Sequence, residues 1–569
     1  IWKCTVRSRE SGVKVRKNSI GIKVIFMILT VFFVLFLGLP VIRLLCRSFS
    51  GEDGGVTLSV YQSVFQQKKF GQALGNSFLI AALAAGLATI VAFILAYTCY
   101  YTNLPKRFKN IIRLAAMLPM FLPTITYGFA IIYSFGHQGL ITKTLGHTLP
   151  FELYGIFGLL VGYSVYTIPV AFLLVSNTMQ YIDKKVMIVS KVMGDKAHAT
   201  FWIAIVRPLL GTLCGAFIQA FFLSFTDFGI PASVGGRFEV VASVLYDQML
   251  GGIPNFGKGA AVAMIMLLPS IVSICLLQYL ERFNIRYKKI SDAELSQNVV
   301  RDFVWSILSV IALVLMLCIF VVIFVAPFVT DWPNKISFSM EHFVSVFTDS
   351  DLLSIYGNTL AMAVLSAAAG TLAAYGAALV TARSRMPKWC KGVVEGIAMV
   401  TNTIPGMVLG VAYMFVFSGT SLQNTMGLLI ICNVIHYFSS PYLMMKNSLS
   451  KLNESWETTA GLMGDSWIKT IIRIVTPNVK ESLWSVFGYY FTNSCVTVSA
   501  IIFLVGSRTM VLTTKIKQLQ YLNKFNEVFV LSLLIFFTNL IAKALFAGLA
   551  KYKPMRVTQK LFQKKETLC

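Results

Sequence analysis

Long apolar stretches alternate with short polar ones along almost the whole chain. Twelve of them occupy 22–45, 77–101, 112–135, 153–176, 208–230, 259–280, 303–327, 358–382, 393–417, 426–445, 482–505 and 529–550. About 20 helical residues suffice to cross the hydrocarbon core of a bilayer, so each stretch is an expected span, numbered 1 to 12 here. A soluble domain needs on the order of 100 residues free of such runs, and no interval of that length exists. The expected fold is an all-α polytopic membrane protein with about 12 transmembrane helices. Its function must lie in the membrane and the short loops.

The polar intervals set an orientation. With the N-terminus inside, the inner segments are 1–20, 103–113, 183–207, 282–301, 383–391, 446–480 and 551–565, and they carry 35 of the 49 Lys and Arg residues. Cationic residues concentrate on the cytoplasmic side of membrane proteins. A membrane protein with both termini in the cytoplasm is therefore expected. The 506–528 loop runs against the trend, since it places Arg508, Lys515, Lys517 and Lys524 outside. This asymmetry accounts for the formal net charge of +25 without a nucleic-acid partner.

The two halves repeat. "LGNSFLIAALAAG" at 74–86 matches "YGNTLAMAVLSAA" at 356–368, and "LPTITYG" at 122–128 matches "IPGMVLG" at 404–410, both at an offset of 282. Further on the offset contracts, and Gly194 pairs with Gly464 at 270. A longer outer loop in the first half accounts for the difference. Six spans per copy give both copies the same orientation, so two parallel six-helix repeats related by an axis near the membrane normal are expected, with a pathway on that axis. The expected division is a basic N-terminus (1–20), a first repeat (21–282, spans 1–6), a linker (283–302), a second repeat (303–551, spans 7–12) and a basic tail (552–569).

One polar segment recurs in both halves after the fourth span: "VSKVMGDKAHATFWIAIVRPLL" at 189–210 and "GLMGDSWIKTIIRIVTPNV" at 461–479. Each has a glycine able to turn the backbone where other residues cannot. A short polar run follows, with Asp195 or Asp465 as an expected helix N-cap. Pro208 and Pro477 then suit the first turn of the next span. The expectation is a short rigid helix on the inner face of each half, tipped by His198 or Trp467.

These segments resemble the "EAA" loops of the inner-membrane permease subunits of binding-protein-dependent ABC importers, which carry an acidic-alanine stretch, then a glycine, then a proline about a dozen residues on. The glycine and proline are present twice, while the acidic-alanine part is degraded. Glu457 lies seven residues before Gly464, Thr458 and Thr459 follow it, and Met187, Ile188, Val189 and Ser190 replace the motif in the first copy. "SFTDFGIPASVGG" (224–236) and "TVSAIIFLVGS" (497–507) resemble the fused, two-copy permeases of the ferric-iron and 2-aminoethylphosphonate type, whose relatives carry sugar phosphates or thiamine. The resemblance implies a type I permease fold and two cytoplasmic ATPase subunits that hold ATP and magnesium. It also implies an extracytoplasmic solute-binding protein. Coupling to the ATPases would fall to Gly194, Asp195, Lys196, Ala197, His198, Glu457, Gly464, Asp465, Ser466, Trp467 and Ile468.

Candidate pathway residues come from polar positions inside the apolar runs. An acid such as Asp227 near the outer end of span 5 is costly unless solvated or paired; Thr497 is its repeat counterpart. Asn433 and His436 form part of a polar stripe in span 10. Thr124 and Thr126 beside Pro123 suit a helix break lining a cavity, and Asn493, Ser494, Thr497 and Ser499 do likewise in span 11. "GGIPNFGKGA" (251–260) has near P-loop spacing, but Gly259 follows Lys258 where Ser or Thr must bind magnesium. No ATPase site or other catalytic residue is expected in this chain. The ten cysteines are scattered with no CxxC pair, and neither a metal site nor a bound cofactor is expected. An ion-coupled secondary transporter with twelve spans is the alternative; it calls for intramembrane charges, and Asp227 alone approaches that description.

Overall fold

The computed structural model of the chain describes residues 20–51, 55–137, 139–146, 152–280, 297–332, 335–453 and 455–551. The tail 552–569, all of 1–20 but its last residue, and most of the linker 283–302 lie outside the described residues.

All twelve apolar stretches are helical, but not all are simple rods. Eight are continuous helices long and apolar enough to cross a bilayer: Ile20–Ser48, Lys68–Tyr101, Leu153–Met179, Ala197–Thr226, Phe256–Leu280, Val299–Phe328, Leu352–Ala382 and Phe525–Lys551. Spans 3 and 9 are broken pairs, bent by 107° and 104°, and span 10 is bent by 56°. The breaks in spans 3 and 9 follow from proline. The residue before a proline is pushed out of the helical region, and Leu122 and Ile404 are extended (φ −117°, ψ 145° and φ −86°, ψ 116°). New helices restart at Thr124 and Gly406. Span 11 is shorter than expected, a 17-residue helix Lys480–Val496.

Spans 5 and 11 depart from expectation at their inner ends. Pro208 does not open a new helix. The segments 189–210 and 461–479, each with the short helix before it, are called the first and second levers here. From Ala197 the first lever and span 5 form one helix, Ala197–Thr226, with a π turn at Trp202–Val206 just before the proline. A proline inside a helix lacks one N–H and clashes with the carbonyl four residues back, and a widened turn at that point relieves both problems. Ile471–Val475 is the same π turn before Pro477. In the second copy a break at Val479 (φ −108°, ψ 15°) then separates this part from Lys480–Val496.

The repeats interlock. Span 1 packs on spans 8 and 9 of the other repeat, and span 7 packs on spans 2 and 3. Small residues permit close approach between helices that gain nothing from hiding apolar surface from lipid. Span 2 buries Ala81, Ala84, Ala85, Ala88, Ala92 and Ala96, and span 8 buries Ala363, Ala367, Ala374, Ala377 and Ala378. At Gly370 a Cβ would fall 2.4 Å from the Tyr490 ring of span 11. Away from the levers the two repeats meet at one end. There the Trp332 indole donates to the Tyr133 carbonyl (3.1 Å), the Gln520 amide donates to the Ala232 carbonyl (2.8 Å), and the Tyr246 and Tyr521 hydroxyls lie 3.2 Å apart. Spans 5 and 11 each run from their lever to this common end, so the repeats are parallel. A small hairpin, Val329–Asp331 with Lys335–Phe338, is a β element that the apolar pattern did not announce.

Candidate functional site: paired levers and a central gate

The two levers have the same backbone. Helices Lys185–Val192 and Ser455–Leu462 end at Gly194 and Gly464, both with φ +85°. That left-handed conformation costs a residue with a Cβ roughly 1–2 kcal/mol. The Asp195 N–H reaches back to the Ser190 carbonyl (3.1 Å) and the Asp465 N–H to the Ala460 carbonyl (3.0 Å), a six-to-one closure that satisfies the end of the first helix. A second short helix then leads into the span. Two expectations need correction. Neither Asp195 nor Asp465 is the N-cap: Lys196 and Ser466 hold that position, and the Ser466 Oγ accepts from the Lys469 N–H at 3.3 Å. The aspartates act sideways instead. Asp195 accepts from the Ser190 hydroxyl (2.6 Å), and Asp465 pairs with Lys469. Trp467 is not at a tip either, whereas His198 is exposed. Trp467 is half-buried and, with Ile468, lies against Gly21 at the start of span 1. The most exposed apolar pairs are Val192 and Met193 (81% and 78% exposed) and Leu462 and Met463 (75% and 81%), at matching positions. Lys196, Ala197, His198 and Ile468 are exposed beside them.

Glu457 does not face outward with these tips. It ties the second lever to the end of span 8. Arg383, with its side chain 1% exposed, donates to the Glu457 carboxylate (2.9 Å) and to the Leu452 and Asn453 carbonyls (2.9 and 3.2 Å). The first lever has Met187 at the matching position and no such ion pair.

At the other end of spans 5 and 11 lies the candidate gate, where expected pathway residues meet. Span 5 stops at Thr226 and span 11 at Val496, and Asp227 and Thr497 follow in extended conformation. The Asp227 carboxylate accepts from the Ile230 N–H (2.9 Å) and from the Thr124 hydroxyl. Two expected pathway residues from different spans are thereby joined. In the second repeat Thr497 bonds the hydroxyl of Tyr437, and His436 and Ser499 press against Gly406. The contact is complementary across the repeat. Thr124 faces Gly229, where a Cβ would lie 2.1 Å from its hydroxyl, whereas Gly406 faces Ser499 at 2.9 Å. Bulk and void have exchanged sides. The Asn-Ser and Asn-Thr pairs at the starts of spans 2 and 8 brace the loops beyond the gate. Asn76 donates to the Glu239 carbonyl and Ser77 accepts from the Val241 N–H (3.0 and 2.8 Å). Asn358 donates to the Arg508 and Met510 carbonyls, and Thr359 accepts from the Leu512 N–H (3.0, 3.1 and 2.9 Å).

Other expected pathway residues lie elsewhere. Thr126 bonds Ser532 of span 12 (2.8 Å) and is fully buried, Asn433 and Ser494 are sealed in packing, and Asn493 bonds the Tyr489 carbonyl in its own helix. Sequence reasoning missed the tyrosines. Half-buried Tyr166 lies within electrostatic reach of Asp227, Tyr437 and Tyr489. The signal was a tyrosine shortly before the proline in both spans 4 and 10, "YTIP" and "YFSSP".

Residues 88–286 and 368–551, together more than half the chain, match the family described as binding-protein-dependent transport system inner membrane component. The chain belongs to that family. The permease is similar to a Haemophilus influenzae protein that bears the name of a ferric transport system permease (FbpB 1), with 25% identity over 429 residues, 72% of this chain and 67% of the relative. It is also similar to the ferric transport system permease protein FbpB of Actinobacillus pleuropneumoniae, with 25% identity over 433 residues, 73% and 62% of the two chains. It thus spans roughly two thirds of the length of these curated relatives. A spermidine/putrescine transport system permease PotC homolog of Mycoplasma pneumoniae is 26% identical over 140 residues, 24% of this chain and 46% of its own. The family match falls once on each repeat and takes in both levers and both sides of the gate.

Proposed function

We propose that this permease forms the membrane pathway of an ATP-driven importer for ferric iron, delivered from outside by a solute-binding protein and powered by two cytoplasmic ATPase subunits. The observation that carries the reading is the pair of geometrically matched levers, each ending in an exposed apolar pair, in a chain of this family. Large exposed apolar side chains mark contact surfaces, and two equivalent surfaces suit two copies of one ATPase. The levers lie on the cytoplasmic side in this reading, the Tyr246 and Tyr521 contact on the outer side. ATP and magnesium belong to the partners. ATP binding draws the ATPases together, the levers turn with them, and spans 5 and 11 carry that motion to Asp227 and Thr497. Such coupling works only as far as ATP binds one state more tightly than the other. The similarity to ferric permeases supports iron as cargo. The π turn before Pro208 suits a helix that acts as a stiff rod through a proline.

The test is a double substitution at each tip, Val192→Asp with Met193→Asp and Leu462→Asp with Met463→Asp. Each is expected to halve the ATPase recovered with the purified permease, and the fourfold variant to abolish it, while span helicity and detergent solubility stay unchanged. Full ATPase recovery with the fourfold variant overturns the assignment.

A further inference from the structure

Beyond the gate, at the end where the repeats meet, lies a cavity of about 350 Å³. Its walls come from both repeats. The first supplies Tyr154, Phe228, Glu239, Tyr246 and Asp247, and the second supplies Lys517 and Tyr521. Phe228 follows Asp227 directly and stacks on Tyr246 with ring centroids 4.5 Å apart, so the cavity sits on the outer side of the gate carboxylate. The Tyr246 and Tyr521 hydroxyls touch at 3.2 Å across the repeats. Asp247, next to Tyr246, is exposed to the cavity mouth. Glu239 gives one oxygen to Lys69 (2.6 Å), and its other carboxylate oxygen is buried without a hydrogen-bond partner. Buried carboxylate oxygens are rarely left unpaired. Lys517, 8% exposed, has rings of Phe228, Tyr246 and Tyr521 around its ammonium at 5.6, 5.8 and 4.8 Å and one side-chain acceptor, Gln520, at 2.8 Å.

We propose that this cavity is a receiving site for ferric iron, in which the Tyr246 and Tyr521 phenols and the Asp247 and Glu239 carboxylates take the ion as it leaves the binding protein. The inference rests on the iron reading above and adds the ligands. Among the described residues no group of three His, Cys, Asp and Glu side chains is placed to hold a metal, so carboxylates alone do not make the site. Phenols complete it. Hard trivalent iron takes oxygen donors, and tyrosinate is an established iron ligand. Each phenol releases its proton as the oxygen binds iron, so two protons leave per ion, as metal binding to protonated ligands requires. Two phenolates and the Asp247 carboxylate balance the three charges of the ion, while Lys69 balances Glu239. Lys517 keeps ammonium protons for an oxyanion that fills the remaining positions on the metal. The donors sit on both repeats, so the site is complete only while the repeats meet at this end, and parting them dismantles it.

The experiment uses the full-length permease in lipid nanodiscs, titrated with ferric nitrilotriacetate. Wild type is expected to develop a visible tyrosinate-to-iron charge-transfer band. Tyr246→Phe with Tyr521→Phe, which keeps both rings and so the packing, is expected to lose it. The same variant slows uptake of radiolabelled ferric iron by at least about tenfold, the scale on which even outer-shell changes weaken metal sites. No band in wild type, or a band that survives the double substitution, overturns the site. If ATP-dependent iron uptake persists in either case, the iron reading stands and only this site falls; if wild type takes up no iron, the iron reading falls with it.

Discussion

The Arg383–Glu457 pair offers a quantitative handle on the second lever. In Glu457→Ala the Arg383 guanidinium, with its side chain 1% exposed, keeps the Leu452 and Asn453 carbonyls but loses the Glu457 countercharge. Breaking a buried pair by removing one partner costs about 3–5 kcal/mol. Glu457 is itself 20% exposed, so water replaces part of what it gave, and the lower end, about 3 kcal/mol, applies. At about 1.4 kcal/mol per tenfold, the equilibrium between the lever docked on span 8 and the lever loose shifts by roughly 100-fold. Backbone hydrogen exchange reads that opening locally. Amides of 455–470 are expected to exchange faster by up to that factor, while those of 185–200 stay unchanged, because Met187 gives the first lever no such tie. Arg383→Met combined with Glu457→Ala recovers most of the loss, as removal of both partners of an ion pair does. Unchanged exchange in 455–470, or equal acceleration in both levers, refutes the idea that this pair holds the lever to the bundle.

Three further outcomes follow from the same geometry. Gly229→Ser places a side chain against the Thr124 hydroxyl and the Ile125 backbone nitrogen and is expected to lower thermal stability by about 1–3 kcal/mol, the usual cost of overpacking; adding Thr124→Gly removes the hydroxyl clash but not the backbone one and restores only part of it, measured by thermal unfolding. Gly194→Ala and Gly464→Ala each cost roughly 1–2 kcal/mol from the left-handed backbone, read as faster exchange confined to the altered lever. Burial pushes Lys517 down to about 8, against a partial opposing effect of Asp247. The folded chain then binds fewer protons there than the unfolded chain, so stability rises as pH climbs from about 8 towards the ordinary lysine range; Lys517→Met is expected to flatten that slope in pH-dependent unfolding.

Much of this architecture is legible in the sequence because a bilayer leaves few options. Twelve apolar runs, two internal matches and two Gly-to-Pro segments give the spans, the duplication and the levers. What was not legible depends on contacts between segments far apart in the chain. The π turn before Pro208 replaced an expected helix start, because a widened turn lets a helix continue through proline, whereas after Pro477 the chain breaks at Val479 and the span starts again at Lys480. Asp195 and Asp465 carried a plausible capping signal, yet the six-to-one closure at Gly194 and Gly464 leaves the next residue as the cap. Trp467 was expected at a tip, but it lies half-buried beside Gly21 at the start of span 1. Thr124 and Asp227 were singled out separately, and only the fold joins them. The vestibule was least visible, since its donors are spread from Glu239 to Tyr521 and each looks ordinary alone. Lys517, in the loop whose charge ran against the orientation trend, was the one sequence signal that pointed there.

The central claim is that two levers drive a shared gate to move ferric iron inward. It is tested most directly by reconstituting the permease with its ATPase and binding protein in liposomes and following radiolabelled ferric iron. Uptake that needs ATP and the binding protein, and that disappears when either pair of lever tips is made acidic, is the predicted result. Iron entry that proceeds without ATP, or that ignores the state of both tips, contradicts the account.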